Sequence, residues 1–247
     1  MFERIVCGVD GSAESLEAVR QADVLLEQAG RLVLVGAVDL TDAIHFQIAP
    51  TALHAARHAL EKADELDRRA QEALERARGA VTHAVDVATT EAAGAPARCL
   101  VETARAERAT LIAVGTHGLG RVRGVALGSV TTRLLHRAPC SVHVARRASE
   151  GDWAPRRILV GVDGSPAAEA ALAAARGLEA RLDATVETLT IEHRRPAHDL
   201  AAAAQEVDLL MVGRRGLHGA HLLGSVSERV AHEAPCSVLV VGHEEPH

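Results

Sequence analysis

Aromatic side chains are almost missing from this chain of 247 residues: Phe2, Phe46 and Trp153 stand alone, and there is no tyrosine. Its cores must be built from Ala, Val, Leu and Ile, which suits helices packed closely on a parallel sheet. The same shortage argues against single-stranded nucleic-acid binding, which relies on aromatic stacking. Lysine is scarce as well, Lys62 being the one lysine among 27 Lys and Arg residues. Walker-type phosphate loops need Gly-Lys-Ser/Thr, so that class of nucleoside triphosphatase is excluded. The net charge is −6 and no basic tract stands out, which speaks against a nucleic-acid partner. No apolar span of about 20 residues and no apolar N-terminal signal occurs, so no membrane partner is expected. The four cysteines, Cys7, Cys99, Cys140 and Cys236, form no CxxC pair. The reading is a soluble, cytoplasmic chain with reduced thiols.

What is present is a repeat. RIVCGVDGS from Arg4 to Ser12 returns as RILVGVDGS from Arg157 to Ser165, identical at seven of nine positions. GTHGLGRVRGVALGSV from Gly115 returns in shortened form as GRRGLHGAHLLGSV from Gly213. Gly128–Val144 and Gly224–Val240 then agree at eleven of seventeen positions, APCSV included, which makes Cys140 and Cys236 small buried residues rather than redox thiols. The repeats start 153 residues apart but their glycine motifs only 98, so the second copy is short by 55 residues, with two more missing inside the loop. Two domains follow, at 1–147 and 156–247, with Ala148–Pro155 as linker and Trp153 at the junction.

In the first copy the pattern predicts strands at Arg4–Val9, Leu32–Val38, Val81–Thr89, Thr110–Gly115 and Ser141–Ala145. Helices are expected over Ala13–Ala29, capped by Ser12, and over Thr51–Arg78. The second copy predicts strands at Ile158–Val162, Thr185–Ile191 and Asp208–Gly213, helices at Ser165–Leu182 and Ala197–Gln205, and a final helix–strand pair ending at Val241. One strand and the long second helix are missing from it. Alternating strands and helices imply doubly wound α/β domains, with ligands at the carboxyl ends of the strands. Each glycine motif lies where a buried strand meets a helix N-terminus, a place that offers unpaired N–H groups and the positive end of a dipole to an anion.

The G-x2-G-x9-G-S loop, the upstream VDGS and the downstream APCSV resemble the universal stress protein family, in its tandem-domain form. The resemblance implies two Rossmann-like, adenine nucleotide alpha hydrolase-like domains in tandem. The first would hold a five-stranded parallel sheet in the order 3-2-1-4-5 and the second would be smaller. It also implies ATP as ligand, with or without magnesium. Gly8, Val9 and Asp10 would lie against the nucleoside, and Ala37 and Val38 would offer backbone to adenine. Gly115, His117, Gly118, Gly128, Ser129 and Val130 would cradle the phosphates. Arg121 and Arg123 either add charge there or are solvated. Asp10 either meets ligand or bonds nearby N–H groups.

A weaker second site would use Asp163, Gly213, Gly216, Gly224 and Ser225, with Arg214, Arg215, His218 and His221 filling its loop. The missing strand is expected to remove the counterparts of Ala37 and Val38, leaving this half a structural partner. The last strands of the two copies would pair across a pseudo-twofold inside one chain, and further pairing of two chains stays open. His54 and His58 stand four apart on the long helix, but with no third ligand they read as a solvated face, and no metal site is assigned.

The function expected is that of an ATP-binding regulator in the stress response, with slow hydrolysis at most. Two alternatives stand beside it. One is a scaffold that works by protein contacts without nucleotide; the other is an adenylating enzyme, for which neither an HxGH nor an SGGxDS string is present.

Overall fold

The computed structural model describes residues 1–39, 52–84, 86–118, 127–146, 153–190, 196–214 and 225–242, with the side chains of 52–59 and of Ser225 outside the description. The apolar run RIVCGV forms β1 (Arg4–Val9), and Gly11, at φ 82°, turns the chain out of it. Ser12 then caps α1 (Ala13–Leu25), its hydroxyl accepting from the Ser15 N–H. β2 (Arg31–Val38), α2 (Ala52–Gly79), β3 (Asp86–Ala93), α3 (Pro96–Ala106), β4 (Leu111–Gly115), α4 (Ser129–Arg137) and β5 (Ser141–Ala145) follow. The second copy repeats the plan as β6 (Arg157–Val162), α5 (Pro166–Leu182), β7 (Thr185–Thr190), α6 (Pro196–Ala203) with one 3-10 turn, β8 (Leu209–Gly213), α7 (Ser225–Glu233) and β9 (Ser237–Val241).

The nine strands among the described residues join one sheet in the order β3-β2-β1-β4-β5-β9-β8-β6-β7. Pairing is parallel within each copy, and the order 3-2-1-4-5 is present in the first. The copies meet where β5 runs antiparallel to β9, with His143 opposite Leu239. Those two residues hold equivalent places in the APCSV repeats, so the pseudo-twofold passes through their pair. One apolar layer lies between the sheet and α1, α2 and α5, and the other between the sheet and α3, α4, α6 and α7. Both are built from the aliphatic residues that the composition demanded. Among the described residues no helix is long and apolar enough to cross a membrane.

Three expectations are corrected. The third strand is Asp86–Ala93, not Val81–Thr89, because the carboxylate of Asp23 draws in the N–H groups of Thr82, His83 and Ala84 at 2.7, 2.9 and 2.7 Å. A backbone curled around one anion cannot also form a ladder. The first helix ends at Leu25 rather than Ala29, since the Glu27 and Arg31 N–H groups bond instead to Phe2 and Glu3 at the foot of β1. Finally, the strand lost from the second copy is the counterpart of β3. β7 pairs β6 with Thr190 opposite Val162, as β2 pairs β1 with Gly36 opposite Val9. The strand that would carry the counterparts of Ala37 and Val38 is therefore kept, and those positions, 191 and 192, lie outside the described residues.

Candidate functional site

The connection reverses between β1 and β4. α1 leaves β1 on one face of the sheet, and α3 delivers the chain to β4 from the other. A doubly wound sheet opens a crevice at the carboxyl ends of such a strand pair. Asp10 follows β1 and Thr116–Gly118 follows β4, so both motifs arrive at this crevice.

Asp10 closes a tight turn: its Oδ1 accepts the Ser12 N–H at 3.0 Å and the Ser12 hydroxyl at 2.6 Å. Its other oxygen faces Gly118, where a Cβ would stand 2.2 Å from Oδ2. The glycine thus allows the close approach across the crevice, and any side chain there would have to displace the Asp10 carboxylate. Gly115, the last residue of β4, is pressed against the backbone of Glu14 in α1, leaving a Cβ only 2.7 Å from the Glu14 carbonyl carbon. Gly8 lies lower in the strand, between the side chains of Leu100 and Val114, so it packs the sheet beneath the crevice. Val9 is buried beside it.

α4 begins at the crevice. Its N-cap, Gly128, gives no side-chain hydrogen bond to the first turn. α1 and α5 differ, since Ser12 and Ser165 fill that role themselves. The Gly128 N–H donates to the Thr116 carbonyl at 2.7 Å, and the buried Thr131 hydroxyl donates to the Gly115 carbonyl at 2.8 Å. Both bonds tie the start of α4 to the end of β4, while Ser129 is exposed and Val130 half-buried. The result is a helix N-terminus fixed in place and lacking a side-chain cap, a ready site for phosphate. Ser12 was read from the sequence as the cap of the first helix, whereas Thr131 and Glu14 escaped that reading; the hydroxyl that follows GSV in both copies, at Thr131 and Ser227, was the available signal for Thr131.

On the far side of β1, β2 runs past the end of its neighbour. The Val38 carbonyl accepts the Gly94 N–H at 2.9 Å, so this residue faces β3. Alternation along a strand turns the amide and carbonyl of Ala37 the other way, over Val9 and toward the crevice. Of the two residues expected to meet adenine, Ala37 is therefore well aimed and Val38 is engaged within the sheet. His117 sits half-buried between Gly115 and Gly118. Arg121 and Arg123 lie outside the described residues.

In the second copy Asp163 makes the same turn, its Oδ1 accepting from the Ser165 N–H and hydroxyl at 3.1 and 2.5 Å. Gly213 packs on α5 so closely that a Cβ would lie 2.3 Å from the Ala167 carbonyl. Ser225 opens α7. Arg214 does not point to a ligand: it is buried, and donates to the Ala138 and Cys140 carbonyls of the first copy at 2.7 and 2.6 Å. The anion role considered for it is corrected on that ground. Gly216, Gly224, Arg215, His218 and His221 lie outside the described residues, as do the side chains of His54 and His58.

The universal stress protein family model matches residues 1–146 and 187–242. The chain belongs to the universal stress protein family. It is 30% identical over 294 aligned positions to a universal stress protein of Mycolicibacterium smegmatis, with 96% of each chain covered. A universal stress protein of Methanocaldococcus jannaschii is 31% identical over 60% of this chain and 84% of its own. Among solved structures, a universal stress protein from Archaeoglobus fulgidus superposes with a TM-score of 0.70 at 18% identity, covering 99% of this chain and all of that one. This likeness establishes a shared fold across both halves of the universal stress protein described here.

Proposed function

We propose that this universal stress protein binds ATP in the crevice between β1 and β4 and works as a nucleotide-dependent regulator in the stress response. One observation carries the reading: α4 starts at the crevice with no side-chain cap, while the helices after both VDGS turns are capped by their own serines. The triphosphate takes the place of the missing cap, held by the N–H groups of Ser129 and Val130 and by the Ser129 hydroxyl. Hydrogen bonds to a charged partner contribute roughly 1.5 to 3 kcal/mol each. Several together give affinity in the micromolar range. Ribose and base lie over Val9 and Asp10, with adenine beside the backbone of Ala37. The Asp10 carboxylate and the triphosphate carry charge of one sign, and a magnesium ion between them relieves the repulsion.

The output in this proposal is occupancy rather than turnover, with slow hydrolysis as the upper limit. The second half serves as a structural partner and takes no nucleotide of its own. Mass spectrometry of nucleotide released from denatured, freshly purified protein tests the reading. The expected result is one adenine nucleotide per chain. Two per chain would overturn the asymmetry, and none, with none taken up at millimolar ATP, would favour a scaffold that works by protein contacts alone.

A further inference from the structure

α4 carries the candidate phosphate site at its N-terminus, which Gly128 and Thr131 tie to β4, and it buries Leu134 and Leu135 along its length. It packs mainly on α3 and β5, whereas α1 lies along β1, β4 and β5. With nine residues, α4 is about 13 Å long and moves as one rigid piece. The bonds at its first turn set its position, and what holds its far end sets its tilt, so both ends together fix where its first-turn N–H groups point. That far end is held from the other half of the chain. Ala138 is the C-cap of α4, and its carbonyl accepts from Nη1 of Arg214, while Nη2 reaches the Cys140 carbonyl. In the last turn, His136 lies 3.3 Å from Glu228 of α7.

The Arg214 guanidinium is buried, forms no ion pair among the described residues, and leaves its Nε without a hydrogen-bond partner. Its charge is met by backbone carbonyls and by the negative end of the α4 dipole, the place where a cation is favoured. The arrangement is reciprocal. Arg146, directly after β5, donates to the Ala231 carbonyl at 2.7 Å and to the Cys236 carbonyl at 3.3 Å, at the far end of α7. The residue equivalent to Arg146 in the second copy is Gly242, which packs against Cys140 with no room to spare. A residue of the shortened glycine loop has taken over the clamp on that side.

We propose that Arg214 is a positioning residue for the nucleotide site: the second half sets the affinity of the first by clamping the C-terminal end of α4, so nucleotide occupancy and the contact between the halves are coupled. This deepens the nucleotide reading and rests on it. The degenerate loop thereby has a use. Arg214, at the start of that loop, orients the helix that holds the anion, and an anion drawn to one end of α4 tightens the clamp at the other.

The test uses the full chain and three substitutions, Arg214→Met, Arg214→Lys and Arg181→Met. Arg181 is the control, because it ties the halves at a different place, its guanidinium capping the Leu25 and Leu26 carbonyls at the end of the well-held α1. ATP affinity is read by calorimetry, and α4 amide exchange in the absence of nucleotide by mass spectrometry. Arg214→Met is expected to weaken ATP binding roughly tenfold and to speed exchange across α4. Arg214→Lys should recover part of both, since one ammonium cannot span both carbonyls, and it carries the comparison if Arg214→Met does not fold. Arg181→Met should lower the melting temperature while leaving ATP affinity and α4 exchange at wild-type values. Equal ATP affinity in the wild type and the Arg214 variants would refute the coupling alone. Wild-type protein that takes up no ATP would refute the nucleotide reading and the coupling with it, even if α4 exchange still answered to Arg214.

Discussion

Replacing Asp23 by Asn exposes how much of this fold depends on one buried carboxylate. Asp23 is 3% exposed and collects the Thr82 and His83 N–H groups and the Thr82 hydroxyl on Oδ2, and the Ala84 N–H on Oδ1. Burial pushes its pKa up, but the three backbone bonds and the His83 side chain outweigh that and hold it below the ordinary value. An asparagine keeps one acceptor. With its oxygen toward Thr82 and His83, its NH2 group opposes the Ala84 N–H, leaving a donor unsatisfied and turning charge-assisted bonds into neutral ones. That costs about 2 to 4 kcal/mol. For a chain of this size, about 3 kcal/mol lowers the melting temperature by roughly 6 to 12 °C. The sign with pH follows from the depressed pKa. The carboxylate's contribution is complete above its unfolded value and is lost as pH falls through the folded one. Urea melts of both proteins from pH 7 to pH 3 should show a gap that is full at neutral pH and narrows in acid. A gap under about 1 kcal/mol at pH 7, or one unchanged at pH 3, would refute the reasoning.

Further outcomes are expected. His143 is fully buried at the pseudo-twofold, its Nε2 bonded to the Gln21 side chain at 2.8 Å, and burial pushes its pKa down to about 3. Stability supported by the neutral ring is present above about pH 6.5 and falls as pH drops from there toward 3, because the unfolded chain takes up the proton first. His143→Leu should flatten that part of a melting-temperature profile, and an unchanged slope would count against the assignment. Gly213→Ala should destabilise by several times the effect of Gly242→Ala, given the Ala167 backbone 2.3 Å from the new Cβ against 3.3 Å for the nearest atom at Gly242. Gly79→Ala, with nothing within 4 Å, should be neutral or stabilise by up to about 1 kcal/mol in the same melts.

The strands were legible where apolar runs are bounded by charge or glycine. β1 and β5 begin and end at the residues the pattern indicated, and β2, β4 and β8 differ by one residue at one end. The repeat itself announced the tandem plan. Errors arose where a distant partner decided the local structure. Nothing in VTHAVDVATT says that Thr82–Ala84 will be drawn to a carboxylate some 60 residues earlier, so β3 was placed too early. Arg214 looked like an anion ligand because it stands in a phosphate-loop frame. Its acceptors are carbonyls 74 and 76 residues upstream, brought close only by the antiparallel meeting of β5 and β9. The crevice was partly legible. The glycines and Asp10 follow from the motif, but the opposed directions of Ala37 and Val38 depend on strand alternation and on Gly94.

Calorimetric titration of the full chain with ATP, set beside Gly118→Val, bears most directly on the central claim. The account predicts saturable binding with one site per chain in the wild type and none in the variant, whose side chain would fill the gap between residue 118 and Asp10, with both proteins melting cooperatively. Equal binding by the two, or none by the wild type at millimolar ATP, would contradict it.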